Sequence, residues 1–218
     1  MRLPMLRPVK RALVIGVLVV LIPAAAQAQA KSSLIPIAAG DLQGCLSGRL
    51  TDPGPSMQRL HATILRVVVG PRYGAQGQAL PCIQGAWSEG YRTELVIQWD
   101  SLWSLQRTKS FFRQILHEYR DYLWAVGIGN EQEITPKLSS AGYARDWRGL
   151  EPIVKYITPW AVRVGGEISP WGLSFLRGAL RDGLPGIQVI AVHPYAYSWA
   201  FTMSQALSIA RGYGIPLW

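Results

Sequence analysis

The chain has 218 residues, of which 49% are hydrophobic and 16% are charged, a length that suits one domain. Its 22 basic residues outnumber the 13 acidic ones. They are spread singly, without the clustered stripe that nucleic-acid binding requires. We therefore expect no nucleic-acid partner.

The first thirty residues have the order of a secretory signal peptide. Four basic residues precede an apolar run over residues 12–22, and Ala-x-Ala cleavage sites follow at Ala28 and Ala30. A membrane span needs about 20 apolar residues, so an uncleaved anchor is the weaker alternative. We expect residues 1–30 to be removed, residues 31–218 to form the mature domain, and the protein to be secreted or periplasmic without a stable membrane anchor.

Two cysteines, Cys45 and Cys82, lie in the predicted mature part. Export to an oxidising compartment permits a disulfide between them, and two free buried thiols are the alternative. This single pair lacks metal-ligand spacing, and the three histidines are scattered. We expect no metal and no cofactor.

Short apolar runs alternate with amphipathic stretches along the rest of the chain. Seven runs are strand candidates, at residues 34–38, 64–69, 93–99, 124–129, 161–165, 187–193 and 215–218. Each is almost continuously apolar, as strands buried on both faces are.

Helices are predicted between these runs. In residues 102–123 the apolar side chains recur at three- and four-residue spacing and form one buried stripe. Other helices are predicted over residues 139–150, 152–157, 171–181 and 202–212, with a break at Pro152. Alternating strands and helices predict an α/β fold with a parallel sheet or barrel.

The segment WAVGIGNE, residues 124–131, ends a strand candidate with Asn130 and Glu131. In a barrel of alternating strands and helices, side chains at the carboxyl ends of the strands meet at the active-site mouth. Glu131 is therefore the leading catalytic candidate. Its alternative role is a helix cap, and that of Asn130 is a turn residue.

Four markers occur in order: Gly129-Asn130-Glu131, Gly165-Gly166-Glu167, His193-Pro194-Tyr195 and the closing Gly-Ile-Pro-Leu-Trp. Together they resemble the clan A retaining glycoside hydrolases over about residues 64–218. The resemblance implies a (β/α)8 TIM barrel, here incomplete, with about seven strands present and the last units missing. The other interpretation of the chain's end is that no closed barrel forms.

The resemblance implies two catalytic carboxyls. Glu131 takes the place of the acid/base, and Asn130 that of the residue that binds the sugar 2-hydroxyl. The nucleophile is expected a few residues beyond Trp218, so we expect this sequence alone to be inactive. Arg66 resembles the strand-two arginine that pairs with the nucleophile, and an arginine in an apolar strand needs an acidic partner.

Other residues are expected to contact substrate. The double glycine before Glu167 indicates close approach of the backbone to a sugar, and His193 and Tyr195 both lie where they can reach the mouth. Trp99 and Trp199 are the expected platforms for sugar rings. For each of these aromatic residues and for His193, packing in the core is the alternative.

The preferred interpretation is a monomeric, exported retaining glycosidase acting on a β-linked polysaccharide or glycoside. Its rival is a non-catalytic glycan-binding barrel or pseudoenzyme. A third possibility, another barrel enzyme using Glu131 as a lone base, has no metal or cofactor signature to support it.

Overall fold

A computed structural model describes residues 38–40, 45, 52–71, 78–134, 137–195 and 199–218. The predicted signal peptide and residues 34–37 of the first strand candidate lie outside these residues. The described ranges belong to one compact unit, residues 35–218.

Six strands form one sheet in the order β1-β2-β3-β4-β5-β6, and each pair of neighbours is parallel. The strands are β1 (Ala38–Gly40), β2 (Ile64–Val69), β3 (Arg92–Ile97), β4 (Ala125–Ile128), β5 (Val162–Ile168) and β6 (Val189–Val192). Consecutive strands are therefore neighbours in space, as in a singly wound barrel rather than a doubly wound sheet. The predicted α/β fold is confirmed, and the arrangement is consistent with part of a TIM-barrel-like fold.

Helices connect the strands. In the described ranges they are α1 (Gly54–Arg59), α2 (Leu80–Ser88), α3 (Leu105–Tyr119), α4 (Ser140–Ile157), α5 (Leu173–Asp182) and α6 (Trp199–Gly212). A 3₁₀ turn, Arg120–Tyr122, follows α3. None of the helices in these ranges combines the length and apolar character of a membrane span.

The two faces of the sheet differ. Alternate strand residues, such as Leu65 and Val67, pack with the helices in the main core. The opposite face, which we call the inner face, carries the small cluster Ala125, Val164, Val189 and Ala191. Because side chains alternate along a strand, Arg66 between Leu65 and Val67 points to the inner face.

Two boundaries differ from the sequence prediction. The break predicted at Pro152 is wrong, because α4 runs through it. Pro152 and Arg148, whose carbonyl loses its helical donor, are both exposed, so water can satisfy that carbonyl. The strand predicted at residues 215–218 is reduced to one parallel bridge between Leu217 and Ile190, since Pro216 has no N–H to extend the ladder.

The structure contains a disulfide between Cys45 and Cys82, which are separated by 37 residues in sequence. Cys82 lies in α2, a helix that the sequence analysis did not predict. The bond therefore ties α2 to the segment between β1 and β2.

Candidate active site

Arg66 of β2 lies at the centre of a polar cluster on the inner face. Its Nη2 donates hydrogen bonds to Asn130 Oδ1 at 2.8 Å and to Glu167 Oε2 at 2.6 Å. Its Nε lies 3.8 Å from Oε2 of Glu94, the residue paired with it on β3. One guanidinium thus joins β2 and β3 to residues of β5 and the segment after β4.

His193, directly after β6, lies between two glutamates. Its Nδ1 is 2.9 Å from Glu131 Oε1, and its Nε2 is 3.0 Å from Glu167 Oε2. Burial by itself would lower the pKa of His193, but the hydrogen bonds to the two carboxylates outweigh it and raise that pKa. A doubly protonated ring donates to both carboxylates at once.

Glu167 points into this cluster because β5 has a bulge. Gly166 pairs with Ala191 and Ile168 with the next residue, Val192, so Glu167 is an extra residue in the ladder. Regular alternation from Val164 would turn Glu167 toward the helices. The bulge instead places Ile168 in the main core and directs Glu167 to the inner face.

The backbone at both glutamates is left-handed, with φ of 46° at Glu131 and 45° at Glu167. Such a conformation costs about 1–3 kcal/mol for a residue other than glycine, and it persists only where its surroundings enforce it. Here the Glu131 N–H donates to the Glu167 carbonyl at 2.7 Å, and the His193 N–H donates to the Ile168 carbonyl at 2.8 Å. The ends of β4, β5 and β6 are therefore fixed relative to one another.

A second set of side chains supports these strand ends. The buried Tyr143 of α4 donates to the Ile128 carbonyl at 2.7 Å and accepts from the Gly166 N–H at 3.3 Å. Burial raises the pKa of the Tyr143 phenol, which keeps this donor protonated. Gln98 Nε2 donates to the Asn130 carbonyl at 2.7 Å.

The carboxyls of the cluster differ in their access to solvent. The side chain of Glu167 is fully buried and that of Glu131 is 22% exposed. Burial raises the pKa of Glu167, but the charges of Arg66 and His193 reverse this and lower that pKa to about 2. Glu167 is therefore a buried anion, whereas the Glu131 carboxyl is partly open to solvent. Tyr195 donates a hydrogen bond to the same Oε1 of Glu131 that faces His193.

The structure brings together six of the predicted site residues: Arg66, Asn130, Glu131, Glu167, His193 and Tyr195. Substrate contact through the Glu167 carboxylate does not fit this arrangement, because that carboxylate is buried against Arg66 and His193.

The predicted platform role does not fit Trp99 either. Its side chain is 2% exposed and packs against Phe112 and Tyr143 in the main core. The side chain of Gln98 donates its hydrogen bond to the Asn130 carbonyl at the end of the strands, and the next residue, Trp99, faces the helices. Trp199, at the start of α6, is 60% exposed and follows the same end of the sheet.

The sequence analysis missed Glu94. The acid is the third residue of β3, and Arg66 is the third residue of β2. Two opposite charges at the same level of neighbouring apolar strands are a signal that could have paired them. The almost continuously apolar character of residues 93–99 does not by itself single out this acid.

Comparisons with known proteins give a distant fold relationship. No family model matches the chain. A 62-residue segment is 34% identical to the protein FAM156A/FAM156B of Homo sapiens, covering 27% of this chain and 29% of that protein. So short a match shows no family.

Among solved structures, a GH113 beta-1,4-mannanase matches with a TM-score of 0.50 and 11% identity. The match covers 80% of this chain, which spans 64% of the length of the mannanase chain. At this identity the likeness is one of fold alone.

Proposed function

We propose that the chain forms the acid/base side of a retaining glycoside hydrolase of the TIM-barrel type, acting on a β-linked polysaccharide or glycoside. The observation that carries the proposal is the position of Glu131. It is a partly exposed carboxylate at the carboxyl end of β4, held by His193 and Tyr195. The carboxyl ends of parallel barrel strands are where such enzymes place their catalytic groups.

In this proposal Glu131 protonates the oxygen of the leaving group and later activates water. Retaining hydrolysis also needs a nucleophilic carboxylate about 5–5.5 Å away from the acid. Glu167 does not suit that role, because Arg66 and His193 cover its buried carboxylate. In the glycosidases that the chain resembles, the residue in that role is a glutamate a few positions after the segment that corresponds to Ile-Pro-Leu-Trp.

The substrate class follows from the same proposal. The matched solved structure is a beta-1,4-mannanase, so β-1,4-mannan is the first polysaccharide to test, with β-glucan beside it. Exposed aromatic side chains follow β5 and β6, at Trp171, Tyr195 and Trp199. Such rings stack on the apolar faces of sugars. We also propose that the protein is a monomer exported after removal of residues 1–30.

Glu131→Gln tests the catalytic role in the longest natural polypeptide that contains these residues. Hydrolysis of mannan or glucan should fall by about 10²–10⁴-fold, because general acid catalysis contributes that much. Hydrolysis of an aryl glycoside with a good leaving group should fall far less in its first step, since that departure needs no donated proton. The measurements are reducing-sugar release and aryl release.

Glu118→Gln on α3 is the matched control, because it removes the same charge outside the cluster. It should hydrolyse both substrates like the wild type. Equal losses of Glu131→Gln on both substrates in that first step, read for the aryl glycoside from the initial burst of aryl release, or no loss on either, would exclude the acid/base role of Glu131.

A second function, glycan binding without hydrolysis, is favoured by one observation. Among the site carboxylates that the structure describes, Glu94 and Glu167 are buried and only Glu131 is partly exposed. A binding protein needs no second carboxylate. Titration calorimetry of the same polypeptide with mannan oligosaccharides distinguishes the two functions. Saturable binding without hydrolysis over a long incubation would support a glycan-binding protein.

A further inference from the structure

Glu94 and Glu167 form a buried pair of carboxyls on β3 and β5, beneath the partly exposed Glu131. Both side chains approach Arg66 through their Oε2 atoms, at 3.8 Å for Glu94 and 2.6 Å for Glu167. The Glu94 residue is 3% exposed and Glu167 is fully buried. Two buried acids therefore share one arginine.

The other oxygen of each carboxyl lacks a hydrogen-bond donor. Glu94 Oε1 and Glu167 Oε1 are both buried without a partner. Leaving a buried polar atom unpaired costs about 1–3 kcal/mol, and more for a charged group. Both carboxyls contact the same guanidinium, which holds them close together. A proton on one carboxyl would supply the donor that the pair lacks.

Charge balance points the same way. If both acids were ionised, two buried negative charges would face the single charge of Arg66, and burying an uncompensated charge is expensive. With one proton between them, the pair carries a single negative charge, which the charge of Arg66 balances. Burial raises the pKa of Glu94 well above its ordinary value, and the charge of Glu167 raises it further against the opposing effect of Arg66.

We propose that Glu94 and Glu167 share one proton, so that the pair carries a single negative charge that positions Arg66 and His193. Glu94 is then a neutral positioning residue that donates to Glu167. Glu167 is the anion of the pair. This inference does not depend on glycosidase activity, and it can be tested without substrate.

The first test measures the pKa of His193 by NMR titration of its ring nitrogens in the purified chain. Glu94→Gln replaces a neutral acid by a neutral amide of the same shape, so that pKa should stay within about 0.3 of the wild-type value. Glu167→Gln removes the anion and should lower the pKa by about 1–3, the usual effect of one nearby opposite charge. A drop of that size in Glu94→Gln would show that Glu94 is ionised and would overturn the proposal.

Glu151→Gln is the matched control. Glu151 is another buried glutamate paired with an arginine, its Oε1 lying 3.0 Å from Arg163 Nε, and it belongs to α4. Its loss should reduce stability without moving the pKa of His193. This separates a general effect of breaking a buried ion pair from an effect on the site.

The second test uses the wild-type protein, so it does not depend on whether a variant folds. Infrared spectra of the wild-type protein at neutral pH should contain the carbonyl band of a buried protonated carboxyl that exchanges slowly with heavy water. Absence of this band would overturn the proposal. Where Glu94→Gln folds, the band should be lost there and kept in Glu151→Gln, and a band kept in Glu94→Gln would also contradict the shared proton.

Discussion

Gly127 shows how a residue without a side chain can shape the site. It lies on β4, and a Cβ atom placed there would be 2.9 Å from Glu167 Oε1 and 2.9 Å from Val96 Cγ2. Because Gly127 has no side chain, the Glu167 carboxylate from β5 can lie over β4, next to β3. The glutamate pair depends on this gap.

Gly127→Ala should therefore destabilise the fold by about 1–3 kcal/mol, the usual cost of overpacking a well-packed core. It should also displace the Glu167 carboxylate and change the ring resonances of His193. Urea unfolding and NMR measure the two effects. Gly212→Ala at the end of α6 is the control, because a Cβ there meets nothing within 4 Å. An alanine at position 127 that alters neither stability nor the His193 signals would contradict this steric argument.

At the scale of single residues, the sequence predicted which side chains form the site better than it predicted which of them contact one another. Arg66 was expected to need an acid, and the structure provides two, Glu94 and Glu167. Glu94 and Arg66 share a level on adjacent strands, which counting along the strands could have revealed. The orientation of Glu167 depends on a bulge, and no simple periodicity predicts an extra residue in a ladder.

The secondary-structure elements themselves were largely predictable. The strand at residues 64–69 matches β2 because four of its five apolar residues are β-branched and a Gly-Pro pair closes it. The long amphipathic stretch contains α3, which Ser104 caps by accepting from the Arg107 N–H. Helix α2 was missed because its nine residues, LPCIQGAWS, carry a proline and a glycine and show little periodicity.

The disulfide holds α2 to the segment before it, and this has a measurable consequence. A crosslink across 37 residues restricts the unfolded chain and should contribute about 2–4 kcal/mol. The oxidised protein should therefore unfold at a higher urea concentration than the reduced one. The double variant Cys45→Ala with Cys82→Ala should unfold at the same urea concentration as the reduced protein, and added reductant should not change its midpoint. Equal midpoints for the oxidised and reduced wild type would contradict this contribution.

For the whole molecule, the cluster predicts how stability depends on pH. The pKa of Glu167 is lowered from 4.5 to about 2 in the folded protein. Its contribution is therefore complete above pH 4.5 and is lost as the pH falls toward 2. The pKa of His193 is raised from 6.5, so its contribution is complete below pH 6.5 and is lost as the pH rises through the folded value. The pKa of Glu94 is raised from 4.5, so its contribution to stability is complete below pH 4.5 and, like that of His193, is lost as the pH rises.

The free energy of unfolding should accordingly decline on both sides of a mildly acidic range. Urea titrations across the pH scale measure it. His193→Gln should flatten the decline toward alkaline pH, while His117→Gln, exposed on α3, should leave the profile unchanged. An alkaline decline of the same slope in His193→Gln would assign it to other groups.

For the whole molecule, the alternation of strands and helices predicted a parallel sheet or barrel. The family resemblance implied the barrel, in which strands follow one another in chain order, and the sheet has that order. Whether the sheet closes depends on contacts between its first and last strands, which local periodicity does not encode. The stacking of Trp124 beside β4 on Trp218, with ring centroids 5.0 Å apart, is likewise a contact between segments distant in sequence that local periodicity does not encode.

The reach of Arg66 across the sheet has an evolutionary consequence. Its guanidinium serves residues from β3, β5 and the turn after β4, so no one of these positions can change without altering the surroundings of the others. Among homologues, loss of the arginine should be accompanied by loss of the buried acids at positions 94 and 167. Replacement of one acid alone should favour a neutral amide at position 94. Related sequences should therefore show correlated substitutions at these three positions, inherited as a set.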